Sequence, residues 1–166
     1  MRFDEANAAQ KACRQLGGIK PMAWVFARVL HRVDNPLLQR TGGKTSVTGL
    51  LTGLPIIELT TTGARSGEPR TMPLVAVPDG DRLVVLASNF GQHQNPAWYY
   101  NLRAHPQCTV THAGESVPMV AYEATGDERE RLWQLDLQTY PARAKYADRT
   151  GGRRIPVIVL SASDAD

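Results

Sequence analysis

The chain has 166 residues, 42% of them hydrophobic, and carries a formal net charge of +3. One domain with a real core is expected at that length, and the mild positive charge favours anionic ligands without reaching the basic character or motifs of a nucleic-acid binder. Two distant cysteines, Cys13 and Cys108, exclude a disulfide framework or zinc knuckle, and no apolar run approaches the ~18 residues of a spanning helix.

Residues 1–19 are polar and basic, and no secretory signal is read there. From Met22 the apolar residues Met22, Val25, Phe26, Val29, Leu30 and Val33 recur at helical spacing. Pro21 opens this stripe and Pro36 ends it, which predicts a basic amphipathic segment over residues 1–36 packing on or beside the core. With Trp24 near its start, residues 20–33 also offer a peripheral membrane contact. Gly43-Lys44-Thr45 looks like the tail of a phosphate loop, but Leu38 stands where the first glycine would be required.

The densest cluster of signals follows. An apolar run from Leu54 to Leu59 feeds three threonines, Thr60 to Thr62, and a second strand is predicted over Thr71 to Val77. Between them Gly63 and Gly67 bracket a loop holding Arg65 and Ser66, with Arg70 at its exit. Backbone amides, a hydroxyl and two guanidinium groups suit a phosphate, because fixed donors and positive charge act together.

Pro78-Asp79-Gly80-Asp81 predicts a turn, and Leu83 to Ala87 a buried strand ending in the polar Ser88-Asn89. Asn95 is the expected N-cap of a short helix with Pro96 at its first position, closed by Pro106. The adjacent Trp98, Tyr99 and Tyr100 must face different sides, and Trp98 is taken as the one that lines a pocket. Two strands about Ala113-Gly114-Glu115 form another hairpin. A helix capped by Thr125 or Asp127 runs to Tyr140, and a basic linker with Arg143 and Lys145 separates Tyr140 from Tyr146. A last strand, Ile155 to Leu160, has Pro156 at its start or on an edge.

Six short strands joined by hairpin logic, with three or four helices, predict an α+β fold on a compact, mostly antiparallel barrel spanning residues 54–160 of a single domain. No strand–GxGxxG–helix unit is present, so a Rossmann nicotinamide domain is not expected. His31, His93, His105 and His112 lack metal-ligand spacing, and no metal is expected.

Taken together, Thr60 to Gly67 with Pro69-Arg70 and Pro73-Leu74, Asp79-Gly80-Asp81, Ala87-Ser88-Asn89, Asn95 to Tyr99 with Asn101-Leu102, Tyr140, Tyr146 and Arg154 to Val157 resemble the deazaflavin-dependent nitroreductase family of actinobacteria. That family is a branch of the split β-barrel, FMN-binding-like oxidoreductases, and the likeness runs from about Leu30 to Leu160. The resemblance implies coenzyme F-420, an 8-hydroxy-5-deazaflavin with a phosphodiester and an oligoglutamate tail, as hydride donor to a quinone-like, nitroaromatic or activated-alkene acceptor. Carried over residue by residue, it implies that Ala64, Arg65, Ser66, Gly67 and Arg70 hold the phosphate and acidic tail. Thr71, Met72, Pro73, Leu74 and Val75 would back the ring system. Ala87, Ser88 and Asn89, with Ala97, Trp98, Tyr99, Tyr100 and Asn101, would line the ring and its approach. Tyr146, Tyr140 and Ser88 are the candidate proton donors, in that order.

Two positions depart from the members that activate nitroimidazoles. Ala64 stands where they carry a second basic residue, implying a weaker hold on the cofactor. Arg143 stands where they carry a further tyrosine, and nitroimidazole activation is not carried over. FMN in the same fold, or a carrier binding F-420 or a lipid without turnover, are the alternatives. The expected compartment is the cytoplasm or the inner face of its membrane, as a monomer or homodimer.

Overall fold

The computed structural model describes residues 53–141 and 143–163. The amphipathic segment, the membrane contact at 20–33 and Gly43-Lys44-Thr45 lie outside the described residues. The described residues form six strands: β1 Ile56–Thr62, β2 Pro69–Asp79, β3 Arg82–Leu86, β4 Gln107–His112, β5 Glu115–Glu123 and β6 Val157–Ala162. All neighbours pair antiparallel, and the sheet closes in the order β1-β2-β3-β6-β5-β4. Among the described residues three α-helices accompany them, α1 Ala97–Ala104, α2 Gly126–Thr139 and α3 Arg143–Arg149. The expected split-barrel fold is therefore observed.

Strand periodicity decides which side chains fill the barrel. In β1, Ile57, Leu59 and Thr61 point inward and are buried, while Ile56, Glu58 and Thr60 face out. Each large aliphatic side chain so buried contributes about 1.5–3 kcal/mol. β3 is apolar on both faces because both are covered. Leu83 and Val85 join the barrel interior, whereas Val84 and Leu86 join a second cluster under α2 and α3 that includes Leu132, Tyr146 and Val159.

The antiparallel order places unlike connections at the two ends. At one end, tight turns join β2 to β3 and β4 to β5; the latter uses Ala113 (φ 52°) and Gly114 (φ 86°), two consecutive left-handed residues as a two-residue hairpin requires. The other end carries the β1–β2 loop, the segment from Ala87 through α1, and the connection that leaves β5 at Ala124 and enters β6 after α3, with α2 itself lying along β2 and β6. Loops on a rigid scaffold are where binding and catalysis concentrate, and here they share one rim.

Two expectations about local structure are corrected. Helix α1 begins at Ala97 with Pro96 in the cap position and no side-chain cap, because the Asn95 Oδ1 instead accepts a hydrogen bond from Arg153 Nη1. The expected basic linker between Tyr140 and Tyr146 is largely helix: Arg143 opens α3 and is buried.

Candidate functional site

The β1–β2 loop is closed by its own backbone. Gly63 N–H donates to Glu68 O and Gly67 N–H to Gly63 O, both at 2.8 Å. Gly67 takes φ 70°, a conformation that favours glycine, and a Cβ on Gly63 would lie 2.5 Å from Ser66 Oγ and 3.1 Å from Glu68 O, so a larger residue there would push on the loop. A chain of hydrogen bonds then docks the loop. Ala64 N–H donates to Asn101 Oδ1 at 3.0 Å, Asn101 Nδ2 donates to Thr61 Oγ1 at 3.0 Å, and Thr61 Oγ1 donates to Arg70 O at 3.4 Å. Asn101 lies on the buried face of α1, so the helix fixes the loop's height on the rim. Ala64, Arg65, Ser66, Gly67 and Arg70 are all exposed. Among the described residues no acid pairs with Arg65 or Arg70. This is the donor set an anionic group needs.

Beside the loop the sheet is split. β2 pairs with β1 from Pro69 to Val75, but with β3 only from Ala76 to Asp79. Ala76 N–H donates towards β1, to Pro55 O, so alternation directs the backbone groups of Pro69, Thr71, Pro73 and Val75 to the other side, which is open among the described residues. Two of these four are prolines, with no N–H to leave unsatisfied. Thr71, Pro73 and Val75 also form the outer face, as the Thr60–Thr71 hydroxyl contact of 2.8 Å shows, while Met72 and Leu74 pack on the interior cluster. The next outward residue, Val77, belongs to the same buried cluster as Tyr146. At about 3.3 Å per residue, the strand from Arg70 to Val77 spans about 23 Å.

Where β3 leaves β2, the three sequence-predicted proton donors come together. Tyr140 and Tyr146 share a 3.0 Å contact between their hydroxyls and meet edge to face at 6.1 Å between ring centroids. Burial, and next the Tyr146 neighbour, push the Tyr140 phenol well above the ordinary tyrosine range, so it is a neutral donor and not a base. Ser88 is buried and its Oγ accepts from Arg143 Nη1 at 3.0 Å. Arg143 in turn grips Asp136 with Nε and Nη2 at 3.0 and 3.1 Å, and its guanidinium lies 5.1 Å from the Tyr140 ring centre. Burial alone would lower the Arg143 pKa, but the Asp136 carboxylate holds it above its ordinary value.

The backbone after Ser88 is unusual. Asn89 and Phe90 take φ 47° and 54°, left-handed values that cost energy for residues with side chains. Gly91 follows at φ 80°, where a Cβ would lie 2.9 Å from Arg149 Cβ and 3.0 Å from Tyr146 O. Arg153 holds the segment from within, donating to the carbonyls of Ala87, Ser88 and Gln92 at 3.0–3.2 Å.

Sequence reasoning passed over Arg153 as a site residue and read Arg143 as part of a basic linker and as a departure from the family. One signal for Arg143 was available: Asp136 follows Leu132 by four residues, on the helix stripe that is buried, and an acid there requires a buried cation. Trp98 is not the pocket-lining aromatic. It is 3% exposed in the interior cluster, and Tyr100, 47% exposed, is the open one. Tyr99 is buried and donates to Glu123 Oε2 at 2.9 Å, Ala97 is exposed at the helix start, and Ala87 is fully buried.

An F420H(2)-dependent quinone reductase of Mycobacterium tuberculosis (strain H37Rv) is 34% identical over 110 residues, covering 64% of this chain and 73% of that protein. A solved F420-H2 dependent reductase, FDR-A, superposes with a TM-score of 0.60 at 38% identity, covering 64% of this chain and 94% of that one. A second solved structure, described as a domain-swapped dimer, gives a TM-score of 0.62 at 33% identity, covering 85% of this chain and 99% of that one. The family model described as F420H(2)-dependent quinone reductase matches residues 30–162, strands β1 to β6 included. With its six-stranded barrel and arginine-bearing rim, the chain belongs to the F420H(2)-dependent quinone reductase family.

Proposed function

We propose that this protein holds reduced F-420 along the open side of β2 and directs it at a quinone-like acceptor beside Ser88 and the tyrosine pair. Family membership makes it an F-420-dependent oxidoreductase, and the FMN and carrier alternatives are not favoured. The residues fit such a cofactor. Exposed Arg65 and Arg70 with Ser66 and the loop amides suit a phosphodiester and an acidic tail, and the length of β2 suits an extended molecule with its charge at one end. The observation that carries the reading is the meeting, among the described residues, of a cationic loop that has no acidic partner with a cluster of hydroxyl donors beside one strand edge that no described strand pairs.

When bound, the deazaflavin supplies a hydride, having carbon where a flavin has N5. The chain's own residues bind, orient and complete the proton inventory. Asn101 sets the position of the anion loop. The outer face of Thr71, Pro73 and Val75 offers a flat, largely apolar wall for a ring. Reduction of a quinone leaves negative charge on oxygen, which a fixed hydroxyl stabilises or protonates. Two phenols sharing one hydrogen bond leave one O–H uncommitted, and Ser88, which accepts from Arg143, keeps its own.

A titration following quenching of F-420 fluorescence, then turnover against a panel of quinones, tests the reading. Stoichiometric, salt-sensitive binding with quinone reduction is expected, and binding without turnover would return the carrier reading. Membrane contact through residues 20–33 is tested by liposome sedimentation of the full chain and of one lacking residues 1–33. Self-association, for which the domain-swapped relative is a precedent, is read by sedimentation velocity. Among the described residues no helix is long and apolar enough to cross a membrane.

A further inference from the structure

We propose that Arg143 is a positioning residue for the reaction: held by Asp136, it donates to Ser88 Oγ so that the Ser88 hydroxyl hydrogen is turned away from it and presented to the oxygen of the acceptor. This rests on the quinone-reductase reading and names the group that serves it.

An arginine carries only donors. In the 3.0 Å contact between Arg143 Nη1 and Ser88 Oγ the shared hydrogen therefore belongs to Arg143. Ser88 keeps its own hydrogen, and among the described residues no acceptor takes it. A buried hydroxyl with an idle donor is costly unless a ligand uses it. The guanidinium also withdraws charge from Oγ, making the remaining O–H a stronger donor directed away from the cation.

The rest of Ser88 leaves little freedom. Its N–H donates to Leu86 O at 2.8 Å, and its carbonyl accepts from Gly91 N–H at 2.9 Å and from Arg153 Nη2 at 3.0 Å. Asp136, fully buried, takes the other two arms of the guanidinium fork. That bidentate grip fixes the plane of Arg143 and hence the direction of Nη1. Because arginine does not lose its proton, Asp136–Arg143–Ser88 is not a proton relay; it orients and polarises one hydroxyl. The tyrosine pair then serves as wall and second donor, with Arg143 packed on the Tyr140 ring at 5.1 Å.

The test measures F-420 affinity, melting temperature and steady-state quinone reduction for Ser88→Ala, for the paired change Asp136→Asn/Arg143→Gln, and for all three together. Pairing avoids an uncompensated buried charge. Ser88→Ala is expected to lower kcat about 100-fold with KM and F-420 affinity little changed, the signature of a donor engaged as charge develops. The paired change is expected to cause a similar loss, and combining it with Ser88→Ala to add almost nothing. If the losses multiply, or if either variant keeps full kcat, the proposal is overturned while the quinone-reductase reading stands. Should the paired variant not fold, Arg143→Lys replaces it. That variant keeps the charge opposite Asp136 but lacks the fork that reaches Ser88, and undiminished kcat in it overturns the proposal equally. Failure of the unsubstituted protein to bind F-420 would sink both readings.

Discussion

Asn101 Oδ1 accepts the Ala64 amide at 3.0 Å while the same side chain donates to Thr61 Oγ1 at 3.0 Å. One residue of α1 thus ties both the tip and the base of the arginine loop. Replacing Asn101 with Ala should destabilise the fold by about 1–3 kcal/mol, since two partly buried groups lose a partner. The same change should weaken F-420 binding by loosening the loop. Denaturant midpoints and fluorescence titration measure the two effects, and retained affinity would separate loop position from binding.

Arg70 sits where β2 leaves the loop, exposed and, among the described residues, without an acidic partner. Arg70→Ala should cost about 1.5–3 kcal/mol of F-420 affinity if a charge-assisted contact is lost. The remaining affinity should also depend less steeply on salt. An unchanged dissociation constant would remove Arg70 from the site.

The Asp136–Arg143 pair is buried on both sides, at 1% and 7% side-chain exposure. Removing one partner strands a charge, so Asp136→Ala should destabilise by about 3–5 kcal/mol. The paired Asp136→Asn/Arg143→Gln variant should be less damaged than that single change, because no lone charge remains. Thermal or denaturant unfolding of the two proteins side by side decides this.

On the barrel's opposite end, Asp79 accepts two hydrogen bonds from Arg131, at 2.8 and 2.9 Å, and another from Arg82. The Arg131 bonds foremost, against partial burial and with help from Arg82, lower the Asp79 carboxyl to about 2. An unfolded aspartate titrates near ~3.9, so the folded state prefers the ionised form. Its contribution is complete above about pH 4 and is lost as pH falls towards about 2. Asp79→Asn should flatten that part of the acid-denaturation curve, with little change between pH 6 and 8 in its slope. A slope identical to that of the unsubstituted protein between pH 4 and 2 would exclude Asp79 as its source.

Much of the barrel was legible because apolar alternation is a local property. The run Leu83 to Ala87, apolar on both faces, announced a strand covered twice, and β3 is so covered. The arginine loop was legible because glycines bracket it, and Gly67 takes a left-handed conformation there. What escaped were choices made by partners distant in sequence. Asn95 has the chemistry of a cap, but Arg153, fifty-eight residues away, takes its oxygen. Trp98 invites a pocket reading by its size, yet it precedes Leu102 by one helical turn, and that face is the one turned into the barrel. Arg143 reads as a solvated residue within its own neighbourhood; only contact with Asp136 and Ser88 makes it interior. Tyr140, Tyr146 and Ser88 were named separately, and the meeting of all three around one cation depends on α3 folding back against the segment after β3.

An unpaired sheet margin can recruit a strand from a neighbouring molecule, which is how many β proteins begin to aggregate. Along the open side of β2 such a visitor would find carbonyls but, with Pro69 and Pro73 at alternate positions, amide hydrogens only on Thr71 and Val75. The two rings spoil the register for a peptide while leaving the surface free for a small flat molecule. Substituting both prolines would therefore be expected to show first as polymer formation on storage, before any loss of chemistry.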